Sequence, residues 1–205
     1  MKLLVGNFKF KNMFENISNY KIILASNSPR RRELLSGLGL DYEVRIINNI
    51  DESYPDNLKG EDIPVYISKV KAEAYLPSLK ENEMVITADT IVYTGNKVLG
   101  KPADKDDAYN MLKALSGHTH NVITGVYIKK KNFQRSFASV TEVTFDTLSD
   151  EEIFYYIDKY RPYDKAGAYG IQEWIGFIGV CSIKGSYFNV MGLPVQRLYK
   201  ELKDI

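Results

Sequence analysis

The chain has 205 residues, 44% of them hydrophobic and 26% charged, with a formal net charge of +1. That balance suits one compact folded domain and excludes wholesale disorder. Near-neutrality excludes a broad basic field for nucleic acid or membrane, so any anion must be held by a local cluster.

Residues 1–20 read as an N-terminal extension that either packs Phe8, Phe10 and Phe14 or stays loose. Its apolar run stops at Val5, ahead of Lys9 and Lys11, too early for a signal peptide, and no stretch approaches a membrane span. A soluble, cytoplasmic protein is expected. Lys21–Ala25 reads as a short buried strand. Ser28-Pro29 then starts a helix, Leu34, Leu35 and Leu38 form its apolar face, and Gly37 and Gly39 end it. Residues 42–47 read as a second strand. A further helix begins near Glu61–Pro64, with Ile63, Ile67, Val70 and Ala74 recurring on one face.

Val85–Ala88 reads as a strand, and Ile91–Tyr93 and Val98-Leu99 flank Thr94-Gly95-Asn96 as a hairpin. Asp104 caps a helix carrying Ala108, Met111, Leu112 and Leu115, closed by Gly117. His118 and His120 follow and read as polar turn residues, since two imidazoles without a nearby third ligand make a poor metal cage. The alternating segments 121–130 and 135–147 predict an antiparallel pair. Ser149 and Glu152 form a capping box for a helix with Ile153, Ile157 and Tyr160 on one face. Segments 175–184 and 186–191 read as strand-like, and a last helix runs from Pro194 to near Leu202. The lone Cys181 excludes a disulfide within the chain and, in the run Ile178–Cys181, reads as a small buried residue. Helices and strands interleave while hairpins interrupt a parallel order, so the expected class is α/β with a mixed, twisted sheet.

Two stretches carry chemistry. The first is Ser26-Asn27-Ser28-Pro29-Arg30-Arg31-Arg32, a polar loop at a strand end leading into a helix start, whose free N–H groups attract anions. Cations at a helix N-terminus are unfavourable by about 0.3–1 kcal/mol each, so three arginines there point to a bound polyanion. The plainer reading is a solvated basic turn with partners such as Glu33. The second is Thr87-Ala88-Asp89-Thr90, where a carboxylate emerges at the end of a buried strand and must meet a metal, a cation or a donor, unless it merely caps a turn. Lys71 at a helix rim, Lys101 in a tight loop and Asp51-Glu52 supply further charges. Combined, basic groups would hold phosphates while Asp89 and Glu52 hold Mg²⁺ with the polyphosphate and orient a water for attack on phosphorus.

These pieces, together with Gly100-Lys101-Pro102, Leu115–His120, Asp164–Gln172 and Gly192-Leu193-Pro194, resemble in order and spacing the Maf family of nucleotide pyrophosphatases, from Lys21 to the C-terminus. The resemblance implies a single domain over residues 21–205 with a Maf/ITPase-like fold, two lobes around a central cleft. It implies hydrolysis of a nucleoside triphosphate to the monophosphate and pyrophosphate with Mg²⁺ or Mn²⁺. Asp89 matches the catalytic proton acceptor, and Glu52, Lys71 and Lys101 match other essential polar positions. Ser26 and Arg31 match the phosphate-binding loop, and Arg30, Thr90 and Gln172 match positions tied to substrate choice. Gly170-Ile171-Gln172 is similar to the branch acting on dTTP and UTP, where a Gln amide can read an imide edge. Trp174 reads as packing in preference to a base-stacking ring. The family also suggests a homodimer. Alternatives are a non-enzymatic regulator of septum formation and the same hydrolysis on modified purine nucleotides. A nucleotide-sugar transferase is disfavoured, since no motif for an acceptor site is present.

Overall fold

The computed structural model describes residues 10–95 and 97–205, with side chains from residue 13 onward. Phe8, Asn96 and the side chain of Phe10 therefore lie outside what is described. In chain order the elements are β1 (Lys21–Leu24), α1 (Pro29–Ser36), β2 (Tyr42–Val44), α2 (Asp62–Glu73), β3 (Glu83–Thr94), β4 (Lys97–Leu99), α3 (Lys105–Leu115), β5 (Thr119–Lys130), β6 (Phe133–Phe145), α4 (Asp150–Tyr160), α5 (Trp174–Gly179), β7 (Val180–Lys184), α6 (Tyr187–Val190) and α7 (Val195–Lys203). The strands form one sheet in the order β2-β1-β3-β5-β6-β7, with β4 also on β3. β1 runs parallel to β2 and β3, and the remaining pairs are antiparallel, which is the expected mixed α/β architecture.

Local chemistry accounts for the helix starts. The Ser28 hydroxyl accepts from the Arg31 N–H ahead of Pro29, the Asp104 carboxylate accepts from the Asp107 N–H, and Ser149 and Glu152 close a reciprocal capping box. Before β1, a 3₁₀ segment at Phe10–Ile17 puts Phe14 and Ile17 in the main core, and Asn16 Nδ2 donates to the Leu202 carbonyl at 2.7 Å.

The two faces of the sheet differ. On one face Ile22, Leu24, Met84, Ile86, Ala88 and Val92 join Val122, Val126 and Ile128 under α1, α3, α4, α5 and α7 in one continuous core. On the other face α2 packs, and its core is divided. Ile23, Val85 and Tyr127 meet Ala72 and Tyr75 at one end, while Ile91 and Ile123 meet Ile63 and Ile67 at the other. Between them lies a row of Ser68 and Lys71 on α2, Thr87 and Asp89 on β3 and Gly125 on β5. A Cβ on Gly125 would stand 2.3 Å from the Pro64 carbonyl carbon, so the bare glycine lets the α2 backbone rest on the sheet here.

Several expectations are corrected. Val70 and Ala74 are only half-buried, because Ser68, Lys71, Ala72 and Tyr75 take the inward positions of α2 and the turn after it. The strand expected at 175–184 is split: α5 comes first, and β7 occupies only Val180–Lys184. The segment expected as a strand at 186–191 holds α6, capped by the Ser186 hydroxyl. Cys181 is exposed, since the apolar run around it straddles a helix end and an edge strand. His120 is no turn residue. It sits on β5 with 2% exposure, its Nε2 2.8 Å from the Tyr169 hydroxyl. Burial pushes its pKa down to about 4, so it is neutral. His118 does sit exposed just after the α3 turn.

Candidate active site

A cleft of about 730 Å³ is lined by the loop after β1, residues 46–54, α2, mid-β3, Lys101 and the 164–172 and 190–192 segments. Ser26, Arg30, Arg31, Glu52, Lys71, Asp89, Thr90, Lys101 and Gln172 all line it.

Its centre is Lys71. The ammonium lies 2.7 Å from Asp89 Oδ1 and 3.0 Å from Glu52 Oε2, with the Lys71 and Asp89 side chains each 14% exposed and Glu52 49%. Asp89 is not at a strand end as the sequence suggested. It lies within β3, opposite Gly125 of β5, beyond the last β1 pairing at Leu24–Ile86 and before β4 joins at Val92. What ends there is the parallel neighbour, and that exposes the carboxylate to the cleft. Glu52 arrives on an irregular segment anchored at its start. Tyr75 Oη donates to the Arg45 carbonyl and accepts from the Ile47 N–H, and Arg45 forks onto both oxygens of the buried Glu83. That fork holds the Glu83 carboxyl down at about 2.

The arginines at the start of α1 are each engaged by the protein. Arg31 donates from Nε to the Gly192 carbonyl at 2.7 Å, from one terminal nitrogen to the Ala88 carbonyl at 2.8 Å, and from the other to Thr90 Oγ1 at 2.9 Å. Burial lowers its pKa from the ordinary value, with Asp89 acting in the opposite direction. Arg30 pairs with Asp164 at 2.9 Å, and Arg32 Nε reaches the Ser26 carbonyl. Only Arg30 meets a carboxylate, while Arg31 and Arg32 are held by neutral acceptors, a partner set that sequence spacing does not show. Thr90 continues inward through Thr124, whose hydroxyl donates to the carbonyl of the buried Asn189. This polar file beneath the cleft escaped the sequence reading, because Thr124 and Asn189 stand in apolar strand and helix patterns. The Ser26 hydroxyl accepts from the Ser28 N–H and forms part of the loop before α1.

Lys101 follows Gly100, whose carbonyl accepts from the Gly167 N–H at 2.9 Å. Gly167 has φ +66°, and a Cβ there would meet Val92 at 2.8 Å, so glycine is required. Gln172 belongs to a turn closed by the Glu173 N–H on the Gly170 carbonyl at 3.0 Å. Its Oε1 is buried with no partner among the described residues. Trp174 does not line the cleft and packs edge-on to Tyr155 at 4.8 Å, as its packing reading implies. Among the described residues no three His, Cys, Asp or Glu side chains gather as a metal cage, and no helix is long and apolar enough to cross a membrane.

The sequence matches the family model described as Maf-like protein over residues 21–205. It is 62% identical to a dTTP/UTP pyrophosphatase of Parabacteroides distasonis, over 93% of this chain and 99% of that protein. It is 64% identical to the dTTP/UTP pyrophosphatase of Phocaeicola vulgatus (94% and 100%) and 50% identical to that of Flavobacterium johnsoniae (93% and 98%). Among solved structures it is similar to a HAM1 protein from Coxiella burnetii with a TM-score of 0.48 and 17% identity, covering 91% of this chain and 100% of that one, too remote to bear on the activity. From the sequence matches, which run nearly end to end, it follows that the chain belongs to the Maf family.

Proposed function

We propose that this chain is a nucleoside triphosphate pyrophosphatase, acting in the cytoplasm on dTTP and UTP and cutting between the α and β phosphates. The observation that carries this reading is the placement of Lys71 between Asp89 and Glu52 in a cleft also lined by Arg30, Arg31, Lys101 and Gln172. The names of the relatives give the bond and the base class. They name an enzyme, so the septum-formation reading gains nothing from them.

In this reading Asp89, kept near Lys71, accepts the proton of a water that attacks the α phosphorus. The bond from that phosphorus to the α–β bridging oxygen breaks, and pyrophosphate leaves with the electron pair. Lys71, Lys101 and Arg30 hold the phosphate oxygens. Arg31 contributes its positive charge and fixes the loop at Gly192 and Thr90. Asp89 and Glu52 are hard oxygen donors that would suit Mg²⁺ or Mn²⁺, and their common contact with Lys71 supports a metal held by the pair together with the triphosphate. Such an ion, when bound, offsets the charge developing on the phosphates and acidifies the attacking water. Gln172 lines the cleft, and its amide can pair with the imide edge of uracil or thymine, the oxygen accepting from N3–H and the nitrogen donating to an adjacent carbonyl.

Incubating purified protein with UTP and Mg²⁺ and resolving the products tests the reading. UMP and pyrophosphate are expected. UDP and phosphate, or unchanged UTP, would contradict it, and a panel of dTTP, UTP, CTP, GTP and ATP fixes the base class. Gln172→Ala should lessen the preference for UTP over GTP, and an unchanged preference would remove Gln172 from base reading.

A further inference from the structure

Behind Arg30, a chain of polar groups that the hydrolysis itself does not use runs from one wall of the cleft into the protein. Arg30 on α1 pairs with Asp164 at 2.9 Å. The other oxygen of Asp164 lies 2.7 Å from the ammonium of Lys165, which reaches Glu173 Oε1 at 3.1 Å. Glu173 Oε2 accepts from the Tyr156 hydroxyl, and that hydroxyl accepts in turn from the Gly170 N–H at 3.0 Å. The chain ends on the turn that presents Gln172.

Tyr156 is fully buried and Lys165 is 7% exposed. A buried lysine–carboxylate pair adds little net stability over apolar residues of similar size, so stability alone does not explain it. The turn is tight enough to transmit a shift. A Cβ on Gly170 would stand 2.9 Å from both Gln172 Nε2 and the Glu173 carboxyl carbon, which places the Gln172 amide and the Glu173 carboxylate side by side over one backbone atom.

We propose that Tyr156, Glu173 and Lys165 are positioning residues for base selectivity, holding the Gly170–Glu173 turn so that Gln172 meets the base while Asp164 ties that turn to Arg30. The inference rests on the dTTP/UTP reading of the cleft. It makes base recognition and engagement of the α1 end of the cleft parts of one rigid network, so that loosening Glu173 blunts discrimination without touching the group that accepts the water's proton.

The test is kcat and KM for UTP and GTP in Tyr156→Phe, Glu173→Gln, Gln172→Ala and the two double variants with Gln172→Ala. Loss of one charge-assisted contact should raise the UTP KM about tenfold with kcat held within about threefold, and the UTP/GTP ratio of kcat/KM should fall by a similar factor. In the Gln172→Ala background neither substitution should lower the ratio further, because both act through Gln172. If Tyr156→Phe fails to fold, Glu173→Gln decides, its carboxylate being partly exposed. Unchanged UTP/GTP ratios in the single variants, or the same loss with and without Gln172, would overturn the inference. Wild-type protein with no preference for UTP would instead overturn the functional reading beneath it.

Discussion

The two faces of β3 follow different rules. Apart from Thr90, which opens the polar file to Thr124 and Asn189, its even-numbered residues feed one core under α1, α3 and α4, whereas its odd-numbered residues face α2 across a core cut in two by Thr87, Asp89 and Lys71. The first face is what folding free energy favours, apolar area removed from water and filled without gaps. The second keeps a lysine and a carboxylate at 14% exposure in the middle of a strand–helix contact, where paired charges stabilise no more than well-packed apolar residues would. The difference teaches where to look in such a fold: the interruption of a core, more than its largest residues, marks the chemistry.

Substitutions on each face separate these rules. The largest effect is expected for Asp89→Asn, which removes the proton acceptor and should lower UTP turnover by about 10²–10⁴-fold while leaving the far-ultraviolet circular dichroism unchanged. On the continuous face, Leu112→Ala should destabilise the fold by about 2–5 kcal/mol in urea titration and leave kcat near wild type well below the melting temperature. A converse result, with Leu112→Ala abolishing turnover in folded protein, would blur the division.

His120 sharpens the same point through pH. It lies on the continuous face, against Phe145 and Tyr169, with a folded pKa near 4 against an ordinary value of 6.5. The unfolded chain binds the proton more readily, so the full stabilisation is present above about pH 6.5 and is lost as pH falls toward 4, up to about 3 kcal/mol. His120→Phe should flatten the stability profile across that window, measured by urea midpoints from pH 4 to 7. Arg31→Ala gives the smallest and most mixed effect. It leaves the Ala88 and Gly192 carbonyls and Thr90 without their donor, so about 1–3 kcal/mol of stability should go together with a higher KM for UTP. A pure KM effect with unchanged stability would mean those contacts are dispensable.

Periodicity and caps made most of the fold legible. Ser28, Asp104 and the Ser149–Glu152 box each start a helix in the structure, and the long alternating segments after Gly117 form the β5–β6 pair. The error at 175–191 has a local cause: short apolar runs do not distinguish a strand from a helix. Here Gly176, whose absent Cβ would stand 1.8 Å from the Ile171 carbonyl oxygen, lets the chain coil back on the preceding turn. At the site, residue types named the participants but not their partners. Lys71 looked like a rim lysine because α2 was read from its aliphatic residues alone, and only the approach of α2 to Gly125 brings the ammonium to Asp89. The internal acceptors of Arg31 were invisible for the same reason, since backbone carbonyls have no signature in sequence.

The most direct test joins activity and stability in a single protein carrying both Asp89→Leu and Lys71→Met, which would close the gap between the two halves of the α2-face core. The account predicts a urea midpoint at or above that of wild type, together with no detectable release of UMP. Turnover close to wild type in that variant would contradict it, because the divided face would then be serving some purpose other than catalysis.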